Sequence, residues 1–288
     1  MVHVEGLYAY PVKSLDGVAR DRIRLAEDGP LVGDRVYGIL EADADIDEAS
    51  VSAGGGYVNG KSEPAIHRLR ATYETVDSAD PTGAADATAT AITLSSPHRE
   101  PRTFSLPGEI DSLEAWLTEY FGYDVRVVRD ESGFPDDTTA TGPTVVSNAT
   151  LQEVASWFDG VDSEGMRRRL RPNVVVGDCP AFWEDRLVAD RGEHVGFRVG
   201  DSEIEGVSPC ARCAVPGRDP DTGAEFPDFR ETFIRNRRLT KPEWLDSDRY
   251  DHDFRLMVNT LVPQDSWGDE ISVGDDVVIQ GTAAVDDA

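Results

Sequence analysis

Short runs in which apolar and polar residues alternate, or β-branched residues follow one another, recur at 2–10, 21–25, 36–41, 67–75, 91–95, 125–128, 144–146, 173–176, 195–199, 203–207 and 276–280. Such runs suit a pleated, half-buried surface and predict strands. Two segments have helical spacing instead. Residues 112–121 place Leu113, Trp116, Leu117 and Phe121 on one face, with Ser112 as the expected N-cap. Residues 150–158 open with Thr150 and carry Glu153 three positions on, the spacing of a capping box. Three stretches, 41–56, 77–90 and 130–142, are acidic and poor in apolar residues and read as loops or insertions.

Short strands at irregular intervals with few helices do not follow the βαβ rhythm of a doubly wound sheet. The pattern predicts an α+β, predominantly β protein with barrel-like sheets and no tandem repeat. A chain of 288 residues can bury one large or two medium cores. The loop at 130–142 is the expected boundary between a domain at 1–130 and a second at 131–288.

Charge changes the picture of the surroundings more than that of the fold. The chain has 28 Lys+Arg against 55 Asp+Glu, a formal charge of −27, and only Lys13, Lys61 and Lys241 are lysines. An acidic surface that avoids lysine is expected of a protein from a salt-accumulating cytoplasm, where molar salt shortens the Debye length to about 3 Å. A lysine kept in such a chain is expected to have a specific task. The same charge argues against nucleic acid and anionic membranes as partners. No run approaches the roughly 18 apolar residues of a membrane helix, and the first residues lack the layout of a signal peptide, so a cytoplasmic location is expected.

The three cysteines, Cys179, Cys210 and Cys213, lie in the C-terminal half. One C-x-x-C without a second pair of ligands disfavours both a structural zinc site and an iron–sulfur cluster. Thioredoxin-like chemistry would need a helix after Cys210, whereas Pro216 and Gly217 follow shortly and predict a turn. Buried spectator thiols fit Cys179. Cys210 and Cys213 flank Arg212 at an expected strand end, where a guanidinium favours a thiolate that can act as nucleophile or soft-metal ligand.

Basic residues gather in three places: at 10–14 with Lys13 and the nearby Asp34–Arg35, at 166–173 with four arginines, and at 229–238. The third reads as a solvated face or as ion-pair partners for the surplus carboxylates. The first two, tight turns beside strands, read as anion grips for which arginine forks are well shaped. Phosphate binding beside a soft thiolate suggests a phosphorylated metal cofactor.

YPVKS at 10–14, GDR at 33–35, RPNVVV at 171–176, FWED at 182–185, VGD at 199–201 and PCARC followed by DPDTG at 219–223 resemble MOSC-domain proteins with an N-terminal MOSC β-barrel domain, a group that includes the amidoxime reducing components. The resemblance implies two β-barrel-like domains and a molybdenum cofactor, Mo-molybdopterin, with Cys213 as the protein ligand of the metal and the catalytic residue. It further implies cofactor contacts from Lys13, Ser14, Arg35, Arg171, Asn173 and Arg212, and from Thr139 and Thr141 on the loop before the second domain. Cys179 and Cys210 become structural or supporting residues. Pyridoxal phosphate is not expected. The implied reaction is reduction of a small N-hydroxylated (N-oxygenated) substrate by oxygen-atom transfer. A separate electron-donor protein, of iron–sulfur or cytochrome type, is expected because the chain ends at Ala288 with no cysteines for a fused cluster. Two other readings stay open: a sulfur carrier holding a persulfide on Cys213, and a cofactor carrier without turnover.

Overall fold

The computed structural model describes residues 1–27, 30–44, 56–75, 88–134, 137, 139–245, 250 and 252–284. The expected loops at 41–56 and 77–90 lie largely outside them. The strands are β1 (His3–Ala9), β2 (Val18–Arg20), β3 (Arg22–Arg24), β4 (Tyr37–Glu41), β5 (Arg70–Thr75), β6 (Ala89–Ser96), β7 (Arg99–Ser105), β8 (Val125–Arg129), β9 (Val145–Ser147), β10 (Val174–Gly177), β11 (Glu193–Val199), β12 (Ser202–Ala211), β13 (Arg255–Leu261), β14 (Glu270–Ser272) and β15 (Val277–Ala284). The helices are α1 (Ile110–Phe121), α2 (Asn148–Ser156), α3 (Ser163–Leu170) and α4 (Phe229–Thr240). Strand exceeds helix, 36% to 23%, as a predominantly β, α+β protein requires.

The largest sheet has eight strands in the order β15-β11-β12-β13-β9-β10-β1-β2. β1 and β2, from the first 20 residues, thus hydrogen-bond into the sheet of the C-terminal half. β9 and β10 run parallel, which demands a crossover, and α2 and α3 supply it. The start of β1 returns toward the start of β15 through one isolated bridge, His3 with Asp276. Backbone hydrogen bonds from Val4 N–H to the Asp275 carbonyl at 2.9 Å, and to the Val4 and Val2 carbonyls from Gly274 and Val277 N–H at 2.8 Å, flank this bridge, and no continuous ladder closes the sheet among the described residues. The smaller sheets are β5-β6-β7, β4-β8 and β3-β14.

One core fills the N-terminal half around Ile39, Ile92, Leu94, Phe104 and Leu117. A second joins Val4, Leu7 and Leu25 to Val174, Phe197 and Val258, and a third packs α2, α3 and α4 through Leu151, Met166 and Phe233. No helix among the described residues is long and apolar enough to cross a membrane.

Several elements differ from expectation for local reasons. The N-cap of α1 is Glu109, not Ser112, and it makes no side-chain cap. The N-cap of α2 is Ser147, whose hydroxyl accepts from the Thr150 N–H, so Thr150 lies inside the helix. The strand expected at 67–75 is a 3₁₀ turn, Pro64–Arg68, followed by the shorter β5. α3 and α4 hide in the arginine-rich segments: their apolar faces are short, Met166 and Leu170 in one, Phe229 and Phe233 in the other. Arg237, expected on a solvated face or in an ion pair, is completely buried and forms a salt bridge of 2.6 Å with Asp185.

Candidate functional site

The YPVKS and GDR segments meet through backbone and side-chain hydrogen bonds. Tyr10 N–H donates to Asp34 Oδ1 at 2.7 Å, Arg35 N–H to the Tyr10 carbonyl at 2.8 Å, and Lys13 N–H to the Tyr37 carbonyl at 2.8 Å. Asp34 is buried and also forms an ion pair with Arg35. The Lys13 ammonium donates to the Phe134 carbonyl at 2.9 Å and lies over the Tyr57 ring. Phe134 belongs to the acidic stretch 130–142, so part of that expected insertion is a wall of the site.

The Arg-Pro-Asn segment is the end of α3. Arg171 is its C-cap in the left-handed region, φ 58°, and Pro172 prevents continuation of the helix. Arg171 Nη1 donates to the Leu15 carbonyl at 2.6 Å. Asn173 is buried: its amide donates to the Tyr8 carbonyl at 3.1 Å and its oxygen accepts from Thr144 N–H at 3.2 Å. Asn173 therefore ties the ends of β1 and β9 together. Non-glycine residues in the left-handed region cost roughly 1–2 kcal/mol each and collect where the surroundings enforce a function. Ser14, Arg35, Arg171 and Met257 all adopt it, and all four line one cavity.

That cavity, of about 400 Å³, receives Lys13, Ser14, Arg35, Thr141, Arg171, Asn173, Arg212 and Cys213. Its volume falls in the range of roughly 300–1,000 Å³ typical of small-molecule and cofactor sites. Thr139 is the expected site residue that stays outside: it is exposed, and its N–H and hydroxyl donate to Asp137 at 2.9 and 2.7 Å. The sequence reading missed His67, Arg70 and Arg218 as wall residues, whereas Arg168 and Arg169 come from the 166–173 grip that it named. Only folding brings β5, the 3₁₀ turn and α3 to the end of β12.

Nine lysines and arginines line the cavity against two aspartates, a concentration of positive charge in a chain of −27. Several of these cations are neutralised. Asp221 accepts from Arg70 at 3.0 Å and Arg168 at 2.8 Å, and Arg168 holds its carboxyl below the usual carboxylate pKa. Asp219 pairs with Arg169 at 3.5 Å and Glu225 with Arg218 at 3.1 Å. Arg212 donates to the Leu170 carbonyl at 3.0 Å, to Cys210 Sγ at 3.1 Å and to Met257 Sδ at 3.7 Å. The Nε–H groups of Arg169, Arg212 and Arg218 are buried with no acceptor among the described residues.

Cys213 and Cys210 both line the cavity at the end of β12. Cys179 does not. Burial, then Glu184, pushes its thiol up to about 11. No cluster of three or more His, Cys, Asp or Glu side chains that could hold a metal occurs among the described residues, so a metal at Cys213 must bring its other donors with it. A phosphorylated dithiolene cofactor would meet that need, with Cys213 as a soft donor and the cationic wall with its orphaned N–H groups as an anion site.

Two glycines join the halves beside Cys213. A Cβ on Gly60 would lie 2.6 Å from His67 Nε2 and 3.4 Å from Val215 Cγ2, and a Cβ on Gly223 would lie 2.5 Å from the Pro64 carbonyl oxygen.

A family model described as the MOSC N-terminal beta barrel domain matches residues 1–124, and one described as the MOSC domain matches 144–278. The chain is 28% identical over 149 residues to mitochondrial amidoxime-reducing component 1 of Danio rerio, covering 46% of this chain and 44% of that protein. It is 41% identical over 54 residues to mitochondrial amidoxime reducing component 2 of Rattus norvegicus, covering 19% of this chain and 14% of that protein. The matches span less than half the length of these relatives. The YUAD protein of Bacillus subtilis superposes with a TM-score of 0.36 at 12% identity, over 98% of this chain and 97% of that one. With the two family models following one another along nearly the whole chain, this protein belongs to the MOSC family, with an MOSC N-terminal domain ahead of its MOSC domain.

Proposed function

We propose that the chain binds a molybdenum cofactor through Cys213 and reduces N-hydroxylated compounds with electrons from a separate donor protein. The observation that carries this reading is one cavity holding both Cys213 and nine cations in a chain of −27. Relatives named amidoxime-reducing components support it. When bound, the cofactor supplies a two-electron couple able to take oxygen from nitrogen. In the net reaction the N–O bond breaks, two electrons and two protons enter, and the amine or amidine and one water leave.

The chain's own residues would divide the remaining work. Lys13, Arg35 and Arg171 hold the anionic end of the cofactor, with Ser14 and Thr141 as hydroxyl donors. Asn173 positions these groups by fixing β1 against β9, and Arg212 sets the charge beside Cys213. Thr139 has no part, because it faces Asp137. Burial lowers the pKa of His67, and Arg218, Arg171 and Arg70 lower it further, so its imidazole is neutral at pH 7. Its Nε2–H then donates to the Gly60 carbonyl at 3.1 Å, which leaves Nδ1 able to take and return a proton.

The test is the molybdenum and pterin content of protein expressed in a cofactor-making host and purified in molar KCl. Near-stoichiometric metal that is lost in Cys213→Ser and kept in Cys179→Ser supports the ligand, and reduction of benzamidoxime with a viologen donor supports the reaction. Folded protein without metal or pterin but with a persulfide mass on Cys213 would replace this reading with sulfur carriage.

A further inference from the structure

We propose that Lys61 selects the substrate, and that the substrate is an N-hydroxylated compound that also carries a carboxylate or another anionic group. This rests on the reductase reading above. Two of the chain's three lysines line the cavity, and Lys13 is engaged by the Phe134 carbonyl and Tyr57. Lys61 differs: it is exposed, and its ammonium has no hydrogen-bond or ion-pair partner among the described residues.

Its placement is built rather than loose. The Asn59 side chain donates to the Tyr57 carbonyl at 2.8 Å and accepts from Lys61 N–H at 2.9 Å. The nearby carboxylate, Glu63, is held by Ala65 N–H at 2.8 Å and by Tyr123 OH at 3.3 Å. The preceding residue, Gly60, lies against Val215, two residues past Cys213. The turn therefore fixes the backbone of Lys61 on the cavity wall, beside the segment that follows Cys213. Arg70, Arg168, Arg169 and Arg218 on the same wall already face carboxylates.

The experiment compares benzamidoxime with 4-carboxybenzamidoxime as substrates, and benzamide with 4-carboxybenzamide as calorimetric ligands, on cofactor-loaded wild type, Lys61→Gln and Lys61→Arg. Wild type is expected to favour the carboxylate member of each pair by about fivefold in KM and Kd, as one exposed charge contact allows. Lys61→Gln should reduce that preference below about twofold and Lys61→Arg should keep it. The preference should shrink between about 0.2 and about 2 M KCl. An equal preference in Lys61→Gln, or none in wild type, overturns the assignment, as does loss of molybdenum in Lys61→Gln, which would make Lys61 a cofactor contact. Loaded protein that reduces neither oxime defeats the reductase reading, while the calorimetric pair still decides the role of Lys61.

Discussion

The Arg171 guanidinium carbon lies 4.1 Å from the centroid of the Tyr10 ring, and the Arg35 guanidinium reaches the same ring at 5.2 Å. Tyr10 thus spaces two of the cations assigned to the anion grip, with its hydroxyl donating to the Pro172 carbonyl at 3.0 Å. Burial raises its pKa despite these arginines, so the ring stays neutral. Tyr10→Phe should cost about 1 kcal/mol in urea unfolding, the value of one hydrogen bond. Tyr10→Leu removes the ring platform, and should lower pterin occupancy as well as stability. Unchanged occupancy in Tyr10→Leu would place the grip elsewhere.

Gly223 has φ 73°, and a Cβ there would meet a backbone carbonyl at 2.5 Å. Both the conformation and the contact oppose a side chain. Gly223→Ala should destabilise by about 2 kcal/mol and loosen the junction between the DPDTG turn and the 3₁₀ turn of His67. Thermal unfolding with and without cofactor reads both effects, and a wild-type melting curve would show that the turn yields freely.

Asp185 accepts from Arg237 at 2.6 and 2.7 Å and from Tyr250 OH at 2.7 Å, all within the buried junction of α4 and the FWED turn. Arg237→Ala leaves a buried carboxylate without its cation and should cost about 3–5 kcal/mol. The double variant Arg237→Met/Asp185→Leu should be less damaging than Arg237→Ala alone. Chemical denaturation of the three proteins decides the point.

Burial, then the neighbouring Asp185, raises Glu184 to about 7. A carboxyl raised on folding binds its proton more tightly in the native state. Its contribution to stability is therefore complete below the unfolded pKa near 4.5 and is lost as pH rises through about 7. Glu184→Gln should flatten that part of the pH–stability curve. A wild-type and variant difference that does not change between about pH 5 and 8 would show that Glu184 is ionised throughout.

How far the chain could be read shows in particular residues. The β-branched runs of β1, β8, β10 and β11 announce strands because burial on a pleated face selects such residues. The polar β7, REPRTFS, does not, since it pairs only with β6 and buries only Phe104. The helices α3 and α4 stay hidden in the sequence, where the arginines of 166–173 read as an anion grip and those of 229–238 as solvated or ion-paired charge, because arginines that snorkel, stack or pair with buried carboxylates mask a short apolar face. Arg237 is the extreme case.

Read alone, the chain gave a predominantly β protein resembling the MOSC family and eight of the residues that line the cavity, because short motifs fix local turns and local turns carry Lys13, Arg35, Arg171 and Cys213. Tertiary structure alone decided which charges share the cavity and which are cancelled by Asp219, Asp221 and Glu225. It also left Thr139 off the cavity wall, placed His67 and Lys61 on it, and showed that β1 and β2 complete a sheet begun 140 or so residues later. The physical reason is range: hydrogen-bonded turns are set by neighbours in sequence, whereas burial and charge pairing depend on contacts between segments that only packing brings together.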